Sequence, residues 1–252
     1  MQVLGIATGA TDPGPIVETL APRLRDRGRL AIVREEAGAG LSVDADGWSA
    51  SGETLSFLDV LDRVARDHDY ALIVDVPDAR FPHVTDGEVD VHDPVVTVDG
   101  EDFDVDAAIE EIEAAEPYET LGSLVDAIKR SNRSDYAGAI ATFTGRVRAL
   151  EDEDDDYTTS LTFEKYDGVA EERMREIEAD LEAREGVEEV VMHHRVGRIE
   201  AGEDIVFVVV LAGHRSEAFR TVEDGINQLK DEVPIFKKEV TTDESYWVHE
   251  RQ

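Results

Sequence analysis

Lysine is rare in this chain, and its distribution along the sequence is uneven. The chain contains five lysines against 20 arginines, and three of the five, Lys230, Lys237 and Lys238, lie within nine residues. A lysine supplies a compact positive charge and an amine that can act as a nucleophile. The cluster therefore indicates a site that binds anions or uses an amine in catalysis. For Lys230 the simpler interpretation is a helix C-terminus, where a positive charge interacts favourably with the macrodipole.

A second basic group lies in the stretch "AGHRSEAF", residues 212–219, which leads from an apolar run into a predicted helix. Ser216 is the predicted N-cap of that helix. The free amides of a helix start, combined with the side chains of His214 and Arg215, are well suited to binding an anion. Without these neighbours, His214 would be interpreted as an ordinary turn histidine.

A third basic group lies in "TFTGRVR", residues 142–148. Side chains of a strand alternate between its two faces, so Arg146 and Arg148 are predicted to share one face. Such a pair is more often a surface feature than a site. Here it stands out because the chain carries a formal net charge of −34.

The helix predicted over residues 216–232 positions these groups. Lys230 lies one step off its apolar face, and Pro234 ends the helix. The extended segment that follows carries Lys237 and Lys238, and it can fold back past the last helical turn so that one of them approaches Lys230. The apolar face, with spacings of 3, 4, 3 and 4, is predicted to pack on the core and consists of Phe219, Val222, Ile226, Leu229 and Val233.

The stretch "GATDPGPI", residues 9–16, has the frame of a phosphate-binding P-loop, G-x-x-x-x-G-K-[ST]. Gly9 and Gly14 hold the two glycine positions and are the candidate nucleotide-binding residues. Pro15 stands in the lysine position and removes an amide donor, and Ile16 stands in the hydroxyl position. We therefore predict a degenerate, inactive motif that serves as a structural remnant or an adapter surface. Weak nucleotide binding is the alternative.

Composition excludes several classes of function. The 59 acidic and 25 basic residues give a surface that would repel nucleic acid and anionic membranes. With 41% hydrophobic residues the chain is expected to fold, and its excess of acid is a halophilic composition that suits a very salty cytoplasm. The absence of cysteine excludes thiolate metal sites and cysteine nucleophiles, so any sulfur chemistry needs a partner that carries the sulfur.

The pattern of elements predicts two domains. Residues 2–33 show a strand, a loop, a helix and a second strand, and a helix near residues 55–67 precedes a buried-type strand that ends at Asp75. This alternation predicts an α/β domain with a P-loop-like parallel sheet over residues 1–116. The second domain, residues 117–252, is predicted to be α+β, with pairs of strands between helices.

The acidic run at residues 151–156 is predicted to be a solvated loop between two strands, because nothing in its spacing fixes the geometry of a cation site. The sequence shows neither a basic leader at its start nor an apolar stretch of membrane-spanning length. We therefore expect a soluble, cytoplasmic protein.

Three stretches, "ATFTGRVR", "HHRVGRIEAGEDIVFVVVLAGHRSEAF" and "LKDEVPIFKKE", resemble the catalytic large subunit of molybdopterin synthase, the MoaE family, over roughly residues 117–252. The resemblance implies an α+β fold of the α/β hammerhead type. It also implies the family's reaction, in which cyclic pyranopterin monophosphate becomes the dithiolene molybdopterin. The sulfur comes from the C-terminal thiocarboxylate of a small ubiquitin-like partner of the MoaD type.

Carried over position by position, the resemblance implies that Lys230 and Lys237 are the catalytic residues. They would stabilise oxyanions and shuttle protons during thiocarboxylate attack, or Lys230 would act as a transient covalent nucleophile. No metal and no cofactor are expected. The implied substrate-binding residues are Phe143, Arg146, Arg148, His214, Arg215 and Lys238.

Residues 1 to about 100 resemble the P-loop adapter protein MobB of molybdopterin guanine dinucleotide biosynthesis, on the stretches "MQVLGIATGATDPGPIVETLAPRLRDRGRLAIV" and "ALIVDVPDARFPHV". The GTP-binding residues do not carry over, because the Lys and Thr of that motif are Pro15 and Ile16 here. The sequence thus predicts a molybdopterin synthase catalytic subunit fused behind a degenerate MobB-like domain. The alternative is a non-catalytic nucleotide- or pterin-binding adapter in molybdenum cofactor biosynthesis.

The length of the predicted helix at residues 216–232 bears on assembly. Its residues span about 25 Å at roughly 1.5 Å per residue, so His214 and Arg215 would lie far from Lys230. If all three serve one site, as the resemblance implies, His214 and Arg215 must come from a second copy of the chain across a two-fold axis. We therefore expect a homodimer with composite sites, each receiving the tail of one small partner, which makes a heterotetramer.

Overall fold

A computed structural model of the chain describes residues 1–34, 40–44, 47–51, 57–91, 93–99, 102–150, 156–166, 168–241 and 245–248. The chain divides into two compact units, Met1–Ser123 and Leu124–Gln252, here called unit 1 and unit 2. The division falls within the helix Leu121–Lys129, a short distance after the predicted boundary at residue 117. The predicted acidic loop at residues 151–156 lies outside the described residues except for Asp156.

Unit 1 alternates strands with helices. Its elements are, in chain order, β1 Gln2–Ala7, α1 Gly14–Arg25, β2 Leu30–Arg34, β3 Gly40–Asp44, β4 Gly47–Ser51, α2 Phe57–Val64, β5 Tyr70–Val74, β6 Pro82–Thr85, β7 Asp93–Thr97 and α3 Val105–Ala114. Five strands form one sheet in the order β2-β5-β1-β6-β7, and all neighbouring pairs are parallel. The predicted parallel α/β sheet is therefore confirmed, whereas its P-loop character stays a prediction.

Two features of unit 1 differ from the sequence-based prediction. The sequence pattern predicts the first helix over residues 17–27, whereas α1 begins at Gly14 and includes Pro15 in its first turn. Proline is tolerated there because the first N–H groups of a helix have no partner within the helix. Strands β3, β4, β6 and β7 were not predicted. Each mixes polar and apolar residues over only four or five positions, and so lacks the continuous apolar run by which β5 is predicted.

The neighbouring strands β1 and β6 approach closely at Gly5 and His83. These residues are register partners, and a Cβ atom on Gly5 would lie 2.2 Å from Cδ2 of His83. The imidazole is only 1% exposed, with Nδ1 2.7 Å from the Phe81 carbonyl oxygen and Nε2 3.3 Å from that of Val76. Glycine is required at position 5 because the histidine ring occupies the space of a side chain.

Unit 2 is α+β, as predicted, and is built from two antiparallel sheets. Its elements are α4 Leu121–Lys129, a 3-10 turn at Ser134–Tyr136, β8 Ala139–Arg146, β9 Thr158–Lys165, α5 Val169–Glu182, β10 Val187–His194, β11 Gly197–Glu200, β12 Asp204–Ala212, α6 Arg215–Glu232, β13 Ile235–Thr241 and β14 Ser245–Val248. One sheet has the order β10-β12-β8 and the other β11-β9-β13-β14. Among the described residues, no helix is long and apolar enough to cross a bilayer.

Helix α6 packs on the first of these sheets, but not by the whole of its predicted apolar face. Phe219 is 67% exposed, so its predicted place in the core is wrong. Val222, which belongs to the predicted face, is buried. The small residues Ala218, Thr221 and Gly225, which do not belong to it, are buried as well. The buried face is therefore rotated away from Phe219, and its small residues allow the helix to lie close to the sheet.

Two glutamates of α5, Glu178 and Glu182, accept hydrogen bonds from backbone amides of the edge strand β10. The Met192 N–H donates to Glu178 Oε1 at 2.6 Å, and the Val190 N–H donates to Glu182 Oε1 at 2.9 Å. These bonds satisfy outward-facing amides that would otherwise present an open sheet edge. Burial raises the pKa of Glu178 from 4.5 to about 7.

Candidate functional site

The turn from β12 into α6 carries the first basic pair. His214 is the N-cap residue, with φ −137° and ψ 161°, and its side chain makes no capping hydrogen bond. The prediction of Ser216 as N-cap is wrong because Ser216 already lies inside the first turn, where its hydroxyl donates to Glu217 Oε2 at 2.7 Å. A surface cavity of about 480 Å³ opens at this turn and is lined by Gly138, Ala139, Gly213, His214, Arg215 and Ser216.

The second basic pair lies at the other end of β8. Arg146 and Arg148 are both exposed and flank the buried Val147, as the predicted alternation requires. Nε of Arg146 lies 3.3 Å from Oδ1 of Asp204, and its guanidinium also donates to the carbonyl oxygen of Gly202. Two cations therefore project from one face where β8 ends.

Phe143 lies earlier on β8 and is half-buried against the core of unit 2. A Cβ atom on Gly145 would lie 3.4 Å from Cε1 of this ring and 2.6 Å from Cγ1 of Val206. The absence of a side chain at position 145 thus leaves room for the aromatic ring of Phe143 next to the strand.

The lysine cluster divides between a helix and a strand. Lys230 is exposed in the last turn of α6, whereas Lys237 and Lys238 are half-buried in β13. Lys237 is the cross-strand partner of Phe163, and Lys238 is that of Thr162. Successive strand residues point to opposite faces, so the sheet separates Lys237 from Lys238.

A series of direct neighbours links Lys237 to the end of β8 that carries Arg146. The ring of Phe163, opposite Lys237, lies 4.9 Å from the ring of His194 in an edge-to-face contact. His194 is the register partner of Val206, which in turn is the partner of Gly145. Lys237, which lies in the second sheet, is therefore linked through Phe163 and His194 to the end of the β10-β12-β8 sheet that carries Arg146.

Lys230 is brought to this same end by the direction of α6. The helix starts beside the end of β12 at Ala212 and runs back along that strand. At its middle, a Cβ atom on Gly225 would lie 3.2 Å from Cγ1 of Val208, which is near the middle of β12. Continuing past this contact, α6 carries Lys230 towards Asp204, the register partner of Arg146. His214 and Arg215 remain at the opposite end.

Two further residues near β13, His194 and Lys165, were not identified as site candidates from the sequence. His194 is 7% exposed, and desolvation lowers its pKa from 6.5 to about 4, so its ring is neutral near pH 7. Lys165 is nearly buried, and its Nζ lies 2.6 Å from Oε1 of Glu171. Burial by itself would raise the pKa of Glu171, but the hydrogen bond and the charge of Lys165 lower it below its usual value. The only sequence signal for Lys165 is the rarity of lysine.

The candidate nucleotide-binding glycines lie in unit 1. The Gly9 N–H donates to the carboxylate of Asp86, and Gly14 is the first residue of α1. Within the described ranges, no group of three or more His, Cys, Asp or Glu side chains is arranged to hold a metal ion.

Comparison with known proteins gives concordant findings. The family model described as "MoaE protein" matches residues 116–232. A "Probable molybdopterin synthase" of Haloferax volcanii is 52% identical over 267 aligned positions, which cover all of both chains. The "Molybdopterin synthase catalytic subunit" of Yersinia pestis is 38% identical over 120 residues, 48% of this chain and 78% of that one. A crystal structure of molybdopterin synthase from Staphylococcus aureus matches with 29% identity and a TM-score of 0.45, covering 54% of this chain and 93% of that one.

Proposed function

Because this chain belongs to the MoaE family of molybdopterin synthase catalytic subunits, we propose that unit 2 converts cyclic pyranopterin monophosphate to molybdopterin. This proposal is supported by the direction of α6, which leads Lys230 towards the end of the β10-β12-β8 sheet that carries Arg146. Lys237 on β13 is linked to the same end through Phe163 and His194, in a chain that is otherwise strongly acidic. An anionic, phosphate-bearing substrate is attracted to such a site by charge, and the rest of the surface repels it.

Lys230 and Lys237 are the catalytic residues in this proposal. Their ammonium groups stabilise the oxyanions that develop when a thiocarboxylate attacks the substrate, and they move protons to the departing oxygens. A transient covalent bond through Lys230 is the second possible role. Arg146 and Arg148 hold the phosphate, because guanidinium groups pair with phosphate oxygens through two parallel hydrogen bonds.

The sulfur is delivered by a partner, since the chain has no cysteine. The partner is a small ubiquitin-like protein whose C-terminal thiocarboxylate sulfur attacks a substrate carbon, forming a carbon–sulfur bond while the bond from that carbon to the departing oxygen breaks. Water then hydrolyses the resulting thioester, which leaves the sulfur on the pterin and releases the carrier as a carboxylate, so that each dithiolene consumes two thiocarboxylates. In this proposal, the half-buried Lys237 on β13 contacts the extended tail of the partner.

Each site is completed by a second copy of the chain, which supplies His214 and Arg215. The turn that carries them opens into the cavity of about 480 Å³. Near this turn unit 2 exposes Tyr136, Ile140 and Phe219, by 74%, 38% and 67%. Exposed apolar side chains grouped beside a polar cavity are typical of a protein–protein interface. A two-fold dimer through this surface, with one small subunit bound at each site, forms a heterotetramer.

The experiment that tests the function is a conversion assay. The chain is incubated with a thiocarboxylated small subunit and cyclic pyranopterin monophosphate, and the dithiolene product is measured. Product that depends on both additions supports the synthase. Binding of the precursor without conversion would instead support the adapter function.

For unit 1, the resemblance to MobB stays a prediction. We propose that unit 1 acts as an adapter surface within the same pathway.

A further inference from the structure

The loop between β1 and α1 meets an acidic residue that follows β6. Strands β1 and β6 are parallel neighbours, so their carboxyl ends lie at one edge of the sheet, which is where ligands of such sheets bind. The loop at residues 8–13 extends from the end of β1, and Asp86 comes directly after the end of β6. The topology therefore brings an acidic side chain to the loop that resembles a phosphate-binding motif.

The carboxylate of Asp86 is bound by consecutive amides of this loop. Its Oδ2 accepts from the N–H groups of Gly9 at 2.9 Å, Ala10 at 3.2 Å and Thr11 at 3.2 Å. Its Oδ1 accepts from Gly9 at 3.1 Å and from Glu88 at 3.1 Å. Successive amides that converge on one anion are the arrangement by which a P-loop holds phosphate. Here the anion belongs to the chain itself.

Most of the remaining positions of the loop also offer no free donor to a phosphate. Pro13 and Pro15 have no N–H, and the Gly14 N–H donates to Oδ1 of Asp12 at 2.9 Å. Five residues of the segment 9–15 carry an amide hydrogen, and four of these five bind Asp86 or Asp12. An incoming phosphate would have to displace carboxylates from nearly every donor.

Access to the loop is restricted as well. The side chain of Glu88 lies over Gly9, so that a Cβ atom on Gly9 would be 2.8 Å from Cβ and 2.9 Å from Oε2 of Glu88. This places a second negative charge where a phosphate would approach. Desolvation opposes ionisation of Asp86, but the backbone hydrogen bonds of Gly9, Glu88 and Thr11 lower its pKa from 3.8 to about 2. The carboxylate is therefore ionised at any physiological pH.

We propose that Asp86 is a built-in substitute for a phosphate group, which locks the loop at residues 9–14 and closes it to nucleotides. The internal carboxylate supplies the negative charge that the converging amides need, and it ties the end of β6 to the loop that precedes α1. The loop thus has a structural role in unit 1, because the anion bound by its amides is a side chain of the same chain. This inference concerns unit 1 alone and does not depend on the sulfur-transfer function of unit 2.

The test is hydrogen exchange of the full chain, read by mass spectrometry on peptides covering residues 8–14. In the wild type we expect protected amides whose exchange is unchanged by GTP or inorganic pyrophosphate at constant ionic strength. In Asp86→Ala we expect exchange at these amides to increase by roughly tenfold or more, with partial recovery on adding pyrophosphate, because the external anion takes the vacated position. Asp90→Ala, which removes an exposed charge from the same segment, is the matched control.

A second variant, Asp86→Asn, keeps the shape of the side chain but not its charge, and we expect it to exchange faster than the wild type. Two results would overturn the proposal. One is added protection of wild-type residues 8–14 by GTP or pyrophosphate, which would show an open site and needs no variant. The other is equal exchange in Asp86→Ala and Asp90→Ala, which would show that the carboxylate does not hold the loop.

Discussion

Arg215 and Lys230 lie at opposite ends of the same helix, α6, whose first residue is Arg215 and whose last turn contains Lys230. Their separation of fifteen residues along the helix corresponds to about 22 Å at roughly 1.5 Å per residue. A single pterin cannot contact both residues of one chain. Arg146, by contrast, shares the Lys230 end of the sheet. If one site uses all three residues, Arg215 must come from a second copy.

Subunit complementation tests this composite site. Arg215→Ala and Lys230→Ala proteins are each expected to be nearly inactive alone. After mixing and subunit exchange, about a quarter of the wild-type activity should return, because about half of the dimers are mixed and each mixed dimer has one intact site of two. The measurement is the rate of dithiolene formation per chain.

The control for this experiment is the double variant Arg215→Ala/Lys230→Ala mixed with wild type. Its mixed dimers place one lesion in each of the two sites, so it should add no activity to that of the remaining wild-type dimers. Failure of the two single variants to complement each other, despite demonstrated exchange, would place the whole site within one chain.

Lys237 and Lys238 are successive residues of β13 and point to opposite faces of the sheet, so we expect them to have different roles. Lys230→Ala and Lys237→Ala should each lower kcat by roughly 100-fold or more, as loss of an oxyanion-stabilising group does. Lys238→Ala should have a smaller effect, because Lys238 points to the other side of the sheet. Steady-state kinetics with Lys129→Ala as an exposed control would check this. A Lys237→Ala variant with near wild-type kcat would remove that residue from the catalytic set.

Glu178 is expected to make the stability of unit 2 depend on pH. Burial raises the pKa of this carboxyl from 4.5 to about 7, so the fold favours its protonated form. The corresponding stabilisation is complete below the unfolded pKa and is lost as pH rises through about 7, by about 1–2 kcal/mol after allowance for its partial exposure. Glu178→Gln should abolish this loss, because the amide oxygen still accepts from Met192 and does not titrate.

The measurement is chemical denaturation of the wild type and of Glu178→Gln below and above neutral pH. Glu172→Gln removes an exposed charge from the same helix and serves as the control. Equal pH dependence in all three proteins would contradict the assignment to Glu178.

The close approach at Gly5 predicts a large effect of one methyl group. Gly5→Ala should destabilise unit 1 by about 1–3 kcal/mol or more, because the new Cβ would overlap the His83 ring, which is held between β1 and the carbonyls of Phe81 and Val76. Gly122→Ala is the matched control: its Cβ meets only the flexible side chain of Arg66, and alanine favours the helix. Thermal unfolding of the full chain would show a lower transition for Gly5→Ala alone, and equal transitions would contradict the packing argument.

Much of unit 2 was predictable from the sequence because its signals are local. The apolar run at residues 205–211 predicts a strand, and β12 spans Asp204–Ala212. The apolar periodicity of residues 169–184 predicts a helix, and α5 spans Val169–Glu182. A long apolar run and a period of 3.6 residues are properties of neighbouring residues alone. The short strands β6 and β7 in unit 1 carry neither signal and were missed.

The sequence by itself determined which residue types carry the chemistry, their order along the chain, the length of the helix that separates Arg215 from Lys230, and the resemblance that points to sulfur transfer. Only the tertiary structure decided which segments meet. In the structure Phe219 is exposed. The periodicity of apolar residues predicts roughly which side of the helix is buried, but small residues beside that side, such as Ala218 and Gly225, can also pack on the sheet and shift the buried face. The tertiary structure also set Asp86 on the amides of a loop 77 positions away. A backbone N–H donates to whichever anion the fold brings to it, and no local sequence pattern identifies such a distant partner.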